Sequence, residues 1–345
     1  MSSTWIHPQH YEDFRPIGHG AFGAVCSALN TLNNQRYAVK KLQKPFQTPD
    51  HAKRTFRELV LLRHVCHDNI ISLCDVFTPN TSAESLSDVY FVTELLDADL
   101  NHEISAQEIP KETIRFLLYQ MLRGIKYLHS VGIMHRDLKP SNIAVTEDNY
   151  LKILDFGLAR LTNAELTGYV VSRWYRAPEI MLNWKHYDTQ IDIWSIGCIF
   201  AEMLTRTPLF EGDDVIKQIT LIIKMCGTPD EDFVDQIEGE YAKFYIKNKL
   251  PHYNRRNFSD YFYNCSKSGL DLLDRMLVID PKKRIDVETA LNHPYFDDLH
   301  DPEDEPVSEV FDDSFEKTEH SLSEWKEMIW NEIQSFKLSH EETCL

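Results

Sequence analysis

A chain of 345 residues with 43% hydrophobic content can bury a large core and has the length of two domains or one two-lobed domain. Its 54 acidic residues outnumber 36 basic ones, for a net charge of −18, which argues against direct nucleic-acid binding and either favours basic peptides as partners or serves plain solubility. No basic region followed by an apolar stretch stands near Met1, the apolar segment 191–204 is interrupted by Asp192, Ser195, Gly197 and Glu202, and seven cysteines form no C-x-x-C pair, so neither a signal peptide, a membrane span nor a zinc site is expected.

In chain order, Gly18-His19-Gly20-Ala21-Phe22-Gly23 comes first, a G-x-G-x-x-G string. Dinucleotide-binding folds use the same spacing, but they need a helix after the last glycine and an acid about 20 residues further on. Here Val25 and a β-prone run, 24–29, follow, and no acid occurs before Asp50. The glycines therefore read as a loop between two antiparallel strands whose N–H groups can fold over phosphates. A second β-prone run, 36–42, comes after the turn-forming Asn33-Asn34 and carries Ala38-Val39-Lys40.

Thr48-Pro49-Asp50 has the form of an N-cap with proline at the first helical position, and Phe56, Leu59, Leu62 and Val65 continue at helical spacing, predicting a helix over about 49–66. Residues 88–96 read as a buried strand leading into an acidic turn. From Lys111 onward the pattern is helical, with Phe116, Leu117, Met121, Leu122, Ile125 and Leu128 at three- and four-residue intervals. Pro251, Pro281, Pro294 and Pro302 punctuate the later helices. An acid-rich stretch, 297–319, then precedes an amphipathic segment around Leu322, Trp325, Ile329 and Ile333, expected to wrap back onto the body.

Three further strings stand in series: His135-Arg136-Asp137-Leu138-Lys139-Pro140-Ser141-Asn142, Asp155-Phe156-Gly157 and Ala177-Pro178-Glu179. With the glycine loop and Lys40 upstream, they make the chain similar to a mitogen-activated protein kinase from about Tyr11 to Phe336. The resemblance implies an α+β, bilobal protein-kinase fold. A β-rich small lobe would occupy 1–96, a mostly helical large lobe 97–295, and an acidic docking segment with a C-terminal extension 296–345.

That resemblance also implies site residues and cofactors. ATP would meet Ile17, Gly18, His19, Gly20, Ala21, Phe22, Gly23, Ala24 and Val25, with Lys40 on the α- and β-phosphates, Glu58 as its ion-pair partner, Thr93 at the back of the adenine pocket and Leu96 in the hinge. Taken alone, Glu58 also reads as a solvated carboxylate paired with Arg54, and Thr93 as an ordinary strand residue. Asp137 would be the base, Lys139 would steady the transferred group, and Asn142 and Asp155 would ligate Mg²⁺, a hard cation suited to oxygen ligands. Glu179, Arg284 and Asp192 read as structural anchors.

Thr167-Gly168-Tyr169 matches the dual phosphorylation site of the stress-activated class; a growth-factor-responsive branch would carry Thr-Glu-Tyr. Receptors for phospho-Thr167 would be Arg54, Arg57, Arg136 and Arg160, and for phospho-Tyr169 Arg173 and Arg176. Asp301, Glu303 and Asp304, with Glu147 and Asp148, match acidic docking patches, although acid runs also serve as plain solvated surface. The implied partners are upstream dual-specificity kinases, substrates with Ser/Thr-Pro sites, selected by the loop around 170–175, and with basic docking motifs, and phosphatases, with no nucleic acid or membrane; the protein would be a monomer of cytoplasm and nucleus. A non-catalytic scaffold is the rival reading, and the complete set Lys40, Glu58, Asp137, Asn142 and Asp155 argues against it. Three positions depart from the family pattern: His19, Ser172, and Asp97, whose side chain disfavours a hinge with positive φ.

Overall fold

The structure, a computed structural model, describes residues 10–20, 23–161, 173–182 and 187–343. Strands β1 (Tyr11–Gly20), β2 (Gly23–Asn30), β3 (Gln35–Leu42), β4 (Leu73–Phe77) and β5 (Tyr90–Glu94) form an antiparallel sheet in the order β1-β2-β3-β5-β4. Gly23 has φ +154°, and a Cβ there would lie 2.1 Å from the Lys41 carbonyl oxygen, so a residue without a side chain lets β2 begin this close to β3. Tyr11, Ala28, Val39, Phe77, Tyr90 and Val92 are buried together on one face.

Helix α1 (Pro49–His64) begins as its sequence predicts: Thr48 accepts the His51 N–H at 3.3 Å, Pro49 opens the first turn, and Asp50 sits at the positive end of the helix dipole. It ends at His64, two residues before the expected boundary, because Val65 is already extended while its N–H still bonds the Leu61 carbonyl. β1 and β2 are the two antiparallel strands that the glycine string places on either side of its loop, whereas β4 carries no sequence signal of its own.

The helical portion runs through α2 (Leu100–Ala106), α3 (Lys111–Ser130), α4 (Pro178–Met181), α5 (Gln190–Thr205), α6 (Val215–Cys226), α7 (Glu231–Asp235), α8 (Glu240–Asn248), α9 (Lys267–Met276) and α10 (Val287–Leu291). The broken apolar run at 191–204 is α5, buried from Ile191 to Met203, which explains why its hydrophobic pattern is nearly continuous. Helix α11 (Leu322–Thr343) follows the acid-rich stretch. No helix among the described residues is long and apolar enough to cross a membrane.

The chain divides into two compact units. The smaller takes the described residues up to Leu96, Asp155–Gly157 and those from Asp312 on; the larger takes Asp97–Leu154 and the described part of 158–311. In the smaller unit α11 packs on α1, where Phe56 meets Phe315 edge-on at 5.1 Å and Trp325 at 5.6 Å, and Arg63 reaches Glu332 at 2.6 Å. An aromatic trio of this kind supplies both area and a geometric lock.

Candidate active site

Within the smaller unit the hairpin register aligns Gly18 with Val25, His19 with Ala24 and Gly20 with Gly23, and Val25 in turn faces Lys40 across β2 and β3. Ala21 and Phe22 lie outside the described residues. Ile17 is 52% exposed on β1. Lys40 donates to Glu58 Oε1 at 2.5 Å and to Asp155 Oδ1 at 3.4 Å. Burial opposes a charge on Lys40, but Asp155 and Glu58 hold it protonated, above the ordinary lysine range. Glu58 is 4% exposed, so the solvated-carboxylate alternative does not hold.

Asp155 has φ 62°, a left-handed conformation costing about 1–3 kcal/mol for a residue with a side chain. Its Oδ1 accepts the Gly157 N–H at 3.1 Å, which turns the carboxylate toward Lys40. Thr93 lies opposite Ala38 and donates to the Glu94 carbonyl at 3.3 Å, and Leu96 is partly buried.

In the larger unit Asp137 is 8% exposed, and two side chains converge on its Oδ2: Lys139 Nζ at 3.1 Å and Asn142 Nδ2 at 2.9 Å. Asn142 Nδ2 also donates to the Asp137 carbonyl at 2.8 Å. Because the amide nitrogen is engaged this way, its oxygen is the group with chemistry for a cation. The loop is braced from below by Asp192, fully buried on α5, which accepts the His135 N–H and the Arg136 N–H at 2.9 Å each and meets His129 Nε2 at 3.0 Å. Burial alone would raise the Asp192 carboxyl, but His129, His135 and the Arg136 N–H hold it below the usual range. These bonds keep Arg136 at φ 71°, a second strained residue beside the proposed base. Glu179 and Arg284, both with side chains 0% exposed, pair through two bonds of 2.8 and 3.0 Å, and the guanidinium also lies over Trp194.

Among the described residues no three His, Cys, Asp or Glu side chains gather to hold a metal. Asp155 in the smaller unit and Asn142 in the larger each carry an oxygen of the hard kind that suits Mg²⁺, an ion that takes most of its shell from phosphate and water.

Thr167 and Tyr169 lie outside the described residues, as do Ser172 and the side chain of Arg160. The other expected phosphate receptors are placed in two units. Arg54 lies beside Gly157. Arg57 makes a bidentate pair with Glu316, one arm at 2.8 Å through Nη2 to Oε2, and Lys53 adds a bond of 2.8 Å to the Glu316 carbonyl. In the larger unit Arg136 lies over the Tyr187 ring, Arg173 donates to the Asp213 carbonyl at 2.9 Å, and Arg176 shares a hollow with Asp137. Burial lowers the Arg176 guanidinium from its ordinary value.

Asp301, Glu303, Asp304, Glu147 and Asp148 are exposed. Asp304 takes Arg123 at 3.0 Å and Asp301 accepts the Glu303 N–H. Glu305 is the surprise in that run: it is 4% exposed and receives Tyr119, Lys126 and His300, so it anchors the segment instead of facing solvent. Sequence reasoning also missed Glu316 and Gln218; nothing in the local pattern marks either. Asp97, the hinge departure, accepts the Glu147 N–H at 2.9 Å.

The model of the protein kinase domain matches residues 11–296. Mitogen-activated protein kinase 14 of Xenopus laevis is 52% identical over 334 residues, covering 97% of this chain and 92% of that protein. Mitogen-activated protein kinase p38b of Drosophila melanogaster is 51% identical over 97% of this chain and 92% of its own length, and mitogen-activated protein kinase pmk-1 of Caenorhabditis elegans 51% over 97% and 89%. With its β-rich and helical units and the ATP-binding fold that the domain match carries, the chain belongs to the protein kinases, in the p38-like mitogen-activated family.

Proposed function

We propose that the protein transfers the terminal phosphoryl group of ATP to serine or threonine followed by proline, within a stress-activated cascade, and that phosphorylation of Thr167 and Tyr169 switches it on. The observation that carries the chemistry is the convergence of Lys139 and Asn142 on Asp137 Oδ2, which fixes the orientation of the carboxylate. Asp137 then accepts the proton of the substrate hydroxyl as that oxygen bonds to phosphorus and the bond to ADP breaks. Lys139, already beside the base, steadies the group in transit. Lys40, held protonated by Glu58 and Asp155, meets the α- and β-phosphates. Mg²⁺, when bound, neutralises charge on the phosphates, and Asn142 and Asp155 are the residues that would hold it. Such transfer asks for positioning and charge neutralisation more than covalent chemistry, in line with a site so heavily braced.

Thr167-Gly168-Tyr169 supports the stress-activated class, and the kinship to p38-like kinases supports upstream kinases, basic docking motifs and phosphatases as partners. The deciding assay co-expresses the protein with a constitutively active dual-specificity upstream kinase and follows phosphate transfer to Ser-Pro peptides. Transfer should depend on both residues, so that Thr167→Ala leaves the fold intact and loses most turnover. Unmodified protein running at the family rate of about 1–100 s⁻¹ would remove the switch from this reading.

A further inference from the structure

The hollow beside Asp137 has Tyr175, Arg176 and Ala177 as part of its wall. The turn that leads into that wall, Arg173–Tyr175, is a single 3₁₀ turn, too short to hold its own shape, so its placement depends on bonds from elsewhere. Helix α5 supplies two: Ser195 Oγ donates to the Tyr175 carbonyl at 2.8 Å, and Glu202 accepts the Tyr175 hydroxyl at 2.6 Å. Asp213 supplies a third, its carbonyl accepting from Arg173. The fourth comes from Gln218 on α6, whose Nε2 donates to the Trp174 carbonyl at 3.3 Å.

Gln218 is 0% exposed on a helix whose buried face otherwise carries Ile219, Ile222, Ile223 and Cys226. A primary amide there is unfavourable unless both ends are bonded. Both are. Oε1 accepts the Gly212 N–H at 2.8 Å while Nε2 faces Trp174, and the orientation has one solution because an N–H can only donate and a carbonyl can only accept. A Cβ on Gly212 would lie 2.5 Å from the Gln218 nitrogen, so the 211–214 loop sits directly on the backbone of α6 and the amide is clamped at both ends.

We propose that Gln218 is a positioning residue for the protein substrate: its amide ties the 211–214 loop and α6 to Trp174, fixes the wall beside Asp137, and thereby sets which residue is accepted after the phosphoacceptor. The preference itself rests on the proline-directed reading above.

The test uses enzyme activated by the upstream kinase and two matched peptides, Ser-Pro and Ser-Ala. Gln218→Met removes both bonds; Gln218→Glu keeps the acceptor for Gly212 but turns an oxygen toward the Trp174 carbonyl. Each should lower the Ser-Pro over Ser-Ala ratio of kcat/KM by about tenfold, the factor for one lost hydrogen bond of about 1.4 kcal/mol. The change should sit in KM of the Ser-Pro peptide, with Ser-Ala turnover kept. Amide exchange at residues 174–177 should quicken in both variants. An unchanged ratio in a folded variant, or an equal loss on both peptides, overturns the proposal. If the parent enzyme fails to distinguish the peptides, proline direction falls and takes the substrate half of this inference with it. Exchange at 174–177 then decides the positioning half, and unaltered exchange overturns that too. Should the methionine variant not fold, the glutamate variant gives the same two readouts.

Discussion

Glu316→Gln tests how the C-terminal segment is tied to α1. The carboxylate is 10% exposed against an Arg57 side chain 5% exposed, with both guanidinium arms on its two oxygens and Lys53 Nζ 3.2 Å from Oε2. Removing one partner of a buried ion pair costs about 3–5 kcal/mol, chiefly because the other charge is stranded. Glutamine keeps one acceptor but puts an amide N–H against a guanidinium donor, and Lys53, 27% exposed, can turn to water; the expected loss is therefore about 2–3 kcal/mol. Urea unfolding followed by circular dichroism measures it, and a cycle with Arg57→Met should give a coupling of about 2 kcal/mol. Burial would raise the Glu316 carboxyl, but Arg57 and Lys53 hold it below its ordinary value. Below about 4.3, the value in the unfolded chain, the unfolded state binds this proton first, so the stabilisation present at neutral pH is lost as pH falls through the lower folded value. The glutamine variant should lack that component of the acid limb. A variant within about 0.5 kcal/mol of the parent, with an unaltered acid limb, would refute the reasoning.

Asp137→Asn should lower turnover by about 10²–10⁴-fold with little change in nucleotide binding if Asp137 is the proposed proton acceptor; equal losses in fluorescent-nucleotide affinity would contradict that role. Asp155→Asn should reduce phosphate transfer by at least about 10²-fold and abolish the Mg²⁺ dependence of nucleotide affinity measured by calorimetry; full rates would void the metal assignment. Arg284→Met strands the buried Glu179 carboxylate and should destabilise by about 3–5 kcal/mol in denaturant unfolding, while a loss under about 1 kcal/mol would show that the pair is not an anchor.

Much of this architecture was legible in the sequence, because local rules and tertiary needs coincide there. Thr48, Pro49 and Asp50 announced α1 through capping and dipole chemistry, and the Lys111 onset gave α3 through its period. β4 was not legible, and β1 was legible only as the strand the glycine loop requires before it, not from its own pattern. β1 is partly exposed and interrupted by Pro16 and glycines, with register shifts where it pairs with β2, and β4 spans only five residues with a shift of its own against β5. Their pairing partners decide them, not their own pattern.

The same division runs through the site. Residue types and spacing carried the kinase resemblance, and through it the expectation of phosphoryl transfer with Asp137, Lys139, Asn142 and Asp155 as its residues. What they could not show is which polar side chains are held at fixed distances by distant parts of the chain: Glu58 buried onto Lys40, Asp192 under the catalytic loop, Glu316 clasping Arg57 from 259 positions away, and Gln218 clamped at both ends. Identity is written in covalent order, whereas a buried polar group's partner is chosen by desolvation, which penalises every unpaired alternative only once the chain has closed around it.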